Sequence, residues 1–286
     1  MQAALKQPLA IGMMRLGDYP DLASDQALLT FTEQCLEQGV SVFDHADIYG
    51  AGSCEARFGQ ALALKPALRE QLVLISKADI VTAQADKSPW QVKHYDTSCA
   101  YLQQQLDGSL QRLGTDYLDG FLVHRPDPLM DVRELAQTLQ GMINSGKVRW
   151  IGVSNFLPAQ WQALAEHVPL ACNQIELSLA AQSAVWDGQL NLLANANVQV
   201  MAWSPMAGGR FAGKLLDALK AVAVQRGVTA EQIALAWVRA LPGAPMAILG
   251  SLRPERITGA LAGLSIQLTR QEWFYLAEAA RGHQVA

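Results

Sequence analysis

The 286-residue chain carries polar side chains of types that can move a proton to or from an oxygen. Asp44 and Tyr49 stand in Asp44-His45-Ala46-Asp47-Ile48-Tyr49-Gly50, Lys77 follows the apolar run Leu72–Ile75, and His124 with Arg125 follows Leu118–Val123. A phenol with a pKa near about 10 is a poor donor at neutral pH, but an adjacent ammonium favours the phenolate and lowers that value. Lys77 is suited to act on Tyr49 in this way, with Asp44 holding the lysine charged and oriented. His124 can donate a hydrogen bond to a substrate oxygen. A strengthened acid beside an oxygen-polarising donor suits carbonyl reduction. Singly, each residue has an ordinary structural role: a cap, a packed ring, a solvated amine, a core histidine. What sets them apart is that they stand one after another behind successive apolar runs.

Those runs must position them. They are Ile11–Met14, Val40–Phe43, Leu72–Ile75, Leu118–Val123, Trp150–Val153, Ala171–Leu177, Val198–Trp203 and Met246–Leu249. Each is too continuous for a half-exposed antiparallel strand and too short for a buried helix. Between and after them the apolar spacing predicts helices over Asp25–Gln38, Ser98–Leu113, Val132–Ser145, Pro158–His167, Ala184–Ala196, Leu215–Arg226, Ala230–Leu241, Pro254–Ala262 and Arg270–Arg281. Gly39, Gly114 and Gly146 serve as stops, and Pro158 sits in a first turn. Alternating strands and helices predict an α/β chain with a parallel sheet, closed as a (β/α)8 TIM barrel. The competing doubly wound sheet announces itself by a Gly-rich turn after its first strand, and no G-x-G-x-x-G occurs here. With no composition break or linker, residues 1–286 read as one domain.

In such a barrel the chemistry lies where strands end. The fifth to eighth runs add Ser154 and Asn155, Asn173 and Gln174, Trp203-Ser204-Pro205, and Gly250-Ser251 to the same rim. The composition removes other classes of function. A net charge of −4 and half the residues hydrophobic give neither a basic field for nucleic acid nor a disordered chain. No run approaches the roughly 18 apolar residues of a membrane span, and Met1–Arg15 is too interrupted for a signal peptide, so a cytoplasmic protein without membrane partners is expected. Cys35, Cys54, Cys99 and Cys172 are scattered and read as reduced thiols that mostly pack in the core, and the histidines show no zinc spacing.

Three stretches resemble the aldo-keto reductases, a superfamily of barrel oxidoreductases. They are Phe43–Gly50 with Glu55 following, Leu113–Asp119 leading to His124-Arg125-Pro126, and Gly146–Phe156. The resemblance spans nearly the whole chain. It implies NADPH, with NADH the less expected cofactor, and a catalytic tetrad of Asp44, Tyr49, Lys77 and His124, in which Tyr49 is the general acid. It implies that Ser154, Asn155 and Gln174 hold the nicotinamide carboxamide and that Trp203 stacks on its ring. Ser204, Pro205, Gly208 and Arg210 match the loop over the pyrophosphate, and Ser251, Arg253 and Arg256 match the segment that receives the 2′-phosphate. Many members carry lysine at the position of Gly250 and asparagine at that of Ala260. His45 and Cys54 replace a common threonine and serine.

The expected function is therefore reduction of a small carbonyl compound to an alcohol. The alternative is an NADPH-binding regulatory subunit that senses redox state and turns over little; a phosphosugar isomerase on the same barrel is a more distant one. The long loop Ala78–Thr97, with Trp90, and the residues Tyr19 and Phe156 are candidates for shaping a substrate pocket.

Overall fold

The computed structural model describes residues 5–286. The first four residues of the segment read as lacking signal-peptide character lie outside it. Strands run over Leu9–Gly12 (β1), Val42–Asp44 (β2) and Val73–Ala78 (β3). A two-stranded antiparallel pair, Ile80–Val81 (β4) and His94–Tyr95 (β5), stands apart. Leu118–Val123 (β6), Val148–Ser154 (β7), Cys172–Glu176 (β8), Gln199–Trp203 (β9) and Met246–Leu249 (β10) complete the set. Eight of these strands pair in parallel into a closed barrel in the order β1, β10, β9, β8, β7, β6, β3, β2. The apolar runs thus mark the barrel strands. The first is displaced: β1 ends at Gly12, and Met13–Asp18 turns off as a 3-10 helix.

The barrel interior is apolar and filled. Ala10, Val42, Ile75, Leu122, Trp150, Cys172, Met201, Met246 and Ile248 meet there as one buried cluster. Trp150 is the largest of them, and its six-membered ring lies where a side chain on Gly120 would point. A Cβ at Gly120 would come within 2.1 Å of Trp150 Cη2, so the glycine on β6 is what lets an indole into the barrel.

Outside, helices cover the strands: Asp25–Glu37 (α1), Ser53–Ala63 (α2), Cys99–Leu113 (α3), Val132–Asn144 (α4) and Pro158–Ala165 (α5). Ser183–Trp186 (α6) and Gln189–Asn195 (α7) follow β8. Gly213–Arg226 (α8), Ala230–Arg239 (α9), Pro254–Leu264 (α10) and Arg270–Arg281 (α11) finish the ring. The Ser98 hydroxyl caps α3, which ends at Gly114 with φ 63°, and Asp131 caps α4. The helix expected over Ala184–Ala196 is two pieces. Gly188 at φ 87° breaks it, and the Asp187 carboxylate accepts from the Gln189 N–H at 2.9 Å.

Helix α2 was absent from the sequence reading. Cys54, Phe58, Ala61 and Leu62 have helical spacing, but Gly59 interrupts it and Gly52, at φ 87°, offers no side-chain cap. The glycine has a packing reason. A Cβ on Gly59 would approach the Arg112 carbonyl oxygen to 2.2 Å, so α2 rests directly on the end of α3.

The Leu113–Asp119 motif sits at the start of β6, the barrel end away from the polar strand ends. Asp119 accepts from Arg69 and Arg149, each at 2.9 Å, and from the Leu74 N–H at 3.0 Å. Both guanidiniums lie over the Tyr117 ring, at 3.9 and 4.0 Å from its centroid. That motif ties β3, β6 and β7 together, and it contributes to the fold and not to the site.

Candidate active site

The strand register brings the polar residues together. Asp44 is the last residue of β2, Lys77 the fifth of β3, and Leu122 on β6 pairs with Lys77 two residues before His124. Lys77 is fully buried. Its ammonium donates to Asp44 Oδ1 and to the His45 carbonyl oxygen, both at 2.7 Å, and stands 5.1 Å from the centre of the Tyr49 ring. The His124 ring meets the Tyr49 ring edge-on, centroids 6.2 Å apart at 81°. The four residues singled out from sequence therefore form one cluster at the mouth of the barrel.

Electrostatics qualify one expectation. Burial pushes the Tyr49 phenol up from its ordinary value, Lys77 pulls it down and Asp44 pushes it up again; the net direction is upward. The lysine thus acts in the expected sense without overcoming burial. Burial alone would lower the Lys77 ammonium, but Asp44 and then Tyr49 outweigh it and hold the group charged. Burial, reinforced by Lys77, pushes His124 down to about 2, so its imidazole is neutral and donates through a single N–H. His124 Nδ1 is buried without a partner, which leaves Nε2 as the nitrogen for a substrate oxygen. His45 is fully buried, edge-on to Phe58 at 4.9 Å, with its pKa pushed down to about 3 by burial and Lys77; it packs beside the strand end.

The next strand ends continue the cluster as a chain of hydrogen bonds. Gln174, which pairs with Ser154 in register, donates to Asp44 Oδ1 at 2.8 Å, and its carbonyl accepts from Ser154 Oγ at 2.9 Å. Asn155, left-handed at φ 61°, donates to Ser154 Oγ at 2.8 Å and accepts from the Trp203 indole N–H at 3.0 Å. One face of Trp203 has Arg125 at 5.9 Å from its ring centroid. These amides and this half-exposed indole fit a flat heteroaromatic carboxamide: donors and acceptors on one edge, an aromatic face above it.

Beyond β9 the backbone turns sharply, with Ser204, Ala207, Gly208 and Gly209 all at positive φ, and Pro205 is buried beneath. The Arg210 guanidinium lies over Gly208, where a Cβ would meet it at 2.8 Å. Beyond β10, Ser251 and Arg253 lead into α10, with Arg253 as its N-cap and Arg256 in its first turn. Arg210, Arg253 and Arg256 are exposed and take part in none of the ion pairs among the described residues. A helix N-terminus with free guanidiniums is suited to phosphate. Ala260 is buried, so α10 offers no contact there.

One candidate for the substrate pocket is removed: Phe156 is fully buried, whereas Tyr19 is half-buried against the core. In the long loop the Asp86 carboxylate accepts from Ser88 and Val92 and holds the tip closed, leaving Trp90 79% exposed; it walls no enclosed cavity. Conversely, Asp47 and Asp79 went unread as site residues. Each has a buried, unpartnered Oδ1, and Asp79 adopts φ 122°. Burial and then Glu55 push Asp47 up to about 7. No sequence pattern announces this, because it arises from what packs around the loop.

Among the described residues no helix is long and apolar enough to cross a membrane, and no cluster of side chains could hold a metal ion. The Aldo/keto reductase family model matches residues 8–281. Over 283 residues the chain is 41% identical to the oxidoreductase YdhF of Escherichia coli K12, covering 96% of this chain and 94% of that protein. It is 38% identical over 284 residues to the 6-dehydroglucose reductase of Agrobacterium fabrum, covering 97% and 95%. An aldo/keto reductase from Klebsiella pneumoniae solved with NADP and acetate superposes with a TM-score of 0.77 at 28% identity, covering 96% of this chain and 91% of that one. The closed barrel, the polar cluster at its mouth and these matches along almost the full length place the chain in the aldo/keto reductase family.

Proposed function

We propose that the protein reduces an aldehyde or ketone to the alcohol with NADPH, using Tyr49 as the general acid. The observation that carries the reading is the burial of Lys77 between Asp44, the His45 carbonyl and the Tyr49 ring, with His124 edge-on to the same ring. A lysine removed from water is costly unless its neighbours use it, and here it faces the one phenol at the mouth. Bound nicotinamide supplies a hydride to the carbonyl carbon. Tyr49 holds the proton that the carbonyl oxygen takes, His124 orients that oxygen through a neutral N–H, and Asp44 keeps Lys77 charged beside the phenol. Ser154, Asn155 and Gln174 orient the carboxamide, and Trp203 supports the ring face. Ser204, Pro205, Gly208 and Arg210 cover the pyrophosphate.

Ser251, Arg253 and Arg256 form the proposed seat for the 2′-phosphate, which supports NADPH over NADH; the Klebsiella pneumoniae neighbour was solved with NADP. The barrel carries both the proton-transfer cluster and the cofactor loops, so we read the chain as one catalytic domain. Multiple-turnover NADPH oxidation with a panel of aldehydes tests the reading. Sustained turnover with at least some carbonyls supports it. A single slow turnover with every carbonyl would instead assign the chain to redox sensing.

A further inference from the structure

Two glycines and one alanine follow Tyr49, and all three are left-handed: Gly50 at φ 57°, Ala51 at 53° and Gly52 at 87°. The glycines adopt this region freely, but Ala51 is strained in it and holds its shape only if the surroundings over-determine it. Around Gly50 the neighbours are Ser53 and Cys54 of the following helix, and at Gly52 the neighbour is an arginine from another helix. The Arg112 side chain of α3 lies on the backbone of Gly52, where a Cβ would come within 2.9 Å of Arg112 Cδ and 3.1 Å of its Nε. Its Nε donates to Glu55 Oε2 at 2.7 Å, and its Nη2 donates to Ser109 Oγ at 3.2 Å.

Glu55 is completely buried in the first turn of α2, which begins directly behind the Tyr49 turn. Its second oxygen, Oε1, accepts from Ser76 Oγ at 2.6 Å. Ser76 is the residue before Lys77 on β3, and neighbouring strand residues point to opposite faces. Ser76 therefore reaches outward to Glu55 while Lys77 reaches inward to Asp44 and Tyr49. A buried carboxylate thus bridges three elements: the helix that follows the phenol, the strand that carries the ammonium, and, through Arg112, the helix that presses on the turn.

We propose that Arg112 and Glu55 are positioning residues for Tyr49: they clamp the left-handed turn and fix its phenol against Lys77 through Ser76. Neither group touches the reacting atoms, and the assignment rests on Tyr49 being the acid. A buried carboxylate with one guanidinium partner is a poor device for stability, since an apolar pair of equal volume does as well or better. It is a good device for holding a strained turn and a strand in one register, because its two oxygens take fixed partners in fixed directions.

The test uses Arg112→Met, with Arg112→Lys and Ser76→Ala beside it. Steady-state kinetics with one aldehyde, the NADPH Kd from tryptophan fluorescence, the pH profile of kcat and the melting temperature are measured for each. Misplacing an acid by a fraction of an ångström is expected to lower kcat by about tenfold or more in Arg112→Met, with the NADPH Kd within about twofold of wild type. The basic limb of the profile moves upward, because a phenol no longer held against Lys77 loses the neighbour that pulls its pKa down. Arg112→Lys restores part of kcat, and Ser76→Ala loses about threefold or more. Folded variants with wild-type kcat and an unmoved pH limb would overturn the inference, as would a loss that appears wholly in cofactor affinity. If Arg112→Met does not fold, Ser76→Ala and Arg112→Lys decide by the same criteria. Failure of the Tyr49 reading is separate: it shows as an active Tyr49→Phe enzyme, whatever the Arg112 variants do.

Discussion

Replacing Lys77 by methionine probes what the buried ion pair contributes. The substitution keeps most of the side-chain volume, so the cavity cost is small. It leaves Asp44, 2% exposed, with Gln174 as its remaining side-chain donor and no counter-charge. Removing one partner of a buried pair costs about 3–5 kcal/mol. The carboxylate can escape by taking a proton, and that sets a ceiling which depends on pH. From an unfolded-state pKa of about 3.9, protonating Asp44 costs about 4.2 kcal/mol at pH 7 and about 1.5 kcal/mol at pH 5. The buried carboxylate has lost its counter-charge, so the deficit grows as pH rises above the unfolded value. Urea unfolding followed by tryptophan fluorescence at the two pH values measures it. Adding Asp44→Asn removes the charge, leaves Gln174 an acceptor, and should return about 2 kcal/mol at pH 7. A deficit equal at both pH values, or a double variant no more stable than the single one, would refute the reasoning.

Other consequences follow from the same structure. His45 and His124, buried neutral, bind protons only on unfolding, between about pH 6.5 and 3 for His45 and between about 6.5 and 2 for His124, so each favours the native state more as pH rises through its window. The stability of His45→Thr relative to wild type should therefore gain about 1.4 kcal/mol per unit as pH falls below about 6 in urea unfolding; a constant difference contradicts this. For the same reason kcat/KM should show no acid limb near pH 6.5, and a limb there would mean that His124 titrates in the free enzyme. Gly120→Ala drives a methyl into Trp150 and should cost about 1–3 kcal/mol or more; a wild-type melting temperature would show that the indole is not held there. Arg256→Ala should weaken NADPH about tenfold or more while leaving NADH nearly unchanged, and an unchanged ratio of the two affinities removes Arg256 from the phosphate seat.

The parts of this molecule that were legible in its sequence share a physical reason. A strand buried on both faces must be apolar throughout, so the runs from Ile11 to Leu249 marked the barrel, and the polar residues that interrupt it could only lie at its ends. Asp44, Lys77, His124, Ser154 and Gln174 were found in that way, and the register then brought them together. What stayed hidden depends on contacts distant in sequence. Helix α2 was masked by Gly59, whose reason is the carbonyl of Arg112 on another helix. The φ of 122° at Asp79 and the orphaned oxygen of Asp47 are set by packing that no local pattern encodes. Trp90 and Phe156 show the converse, since an aromatic residue near a rim is equally compatible with full exposure and full burial. The net effect of burial on Tyr49 was out of reach too, because a sequence names the charges near a phenol but not how much water is left around it.

The central claim is that the Tyr49 phenol delivers the proton. Tyr49→Phe removes one hydroxyl and keeps the ring against His124 and beneath Lys77. Aldehyde reduction by this variant should fall by about a thousandfold or more while the NADPH Kd stays within about twofold. Reductase activity undiminished beside intact cofactor binding would contradict the account.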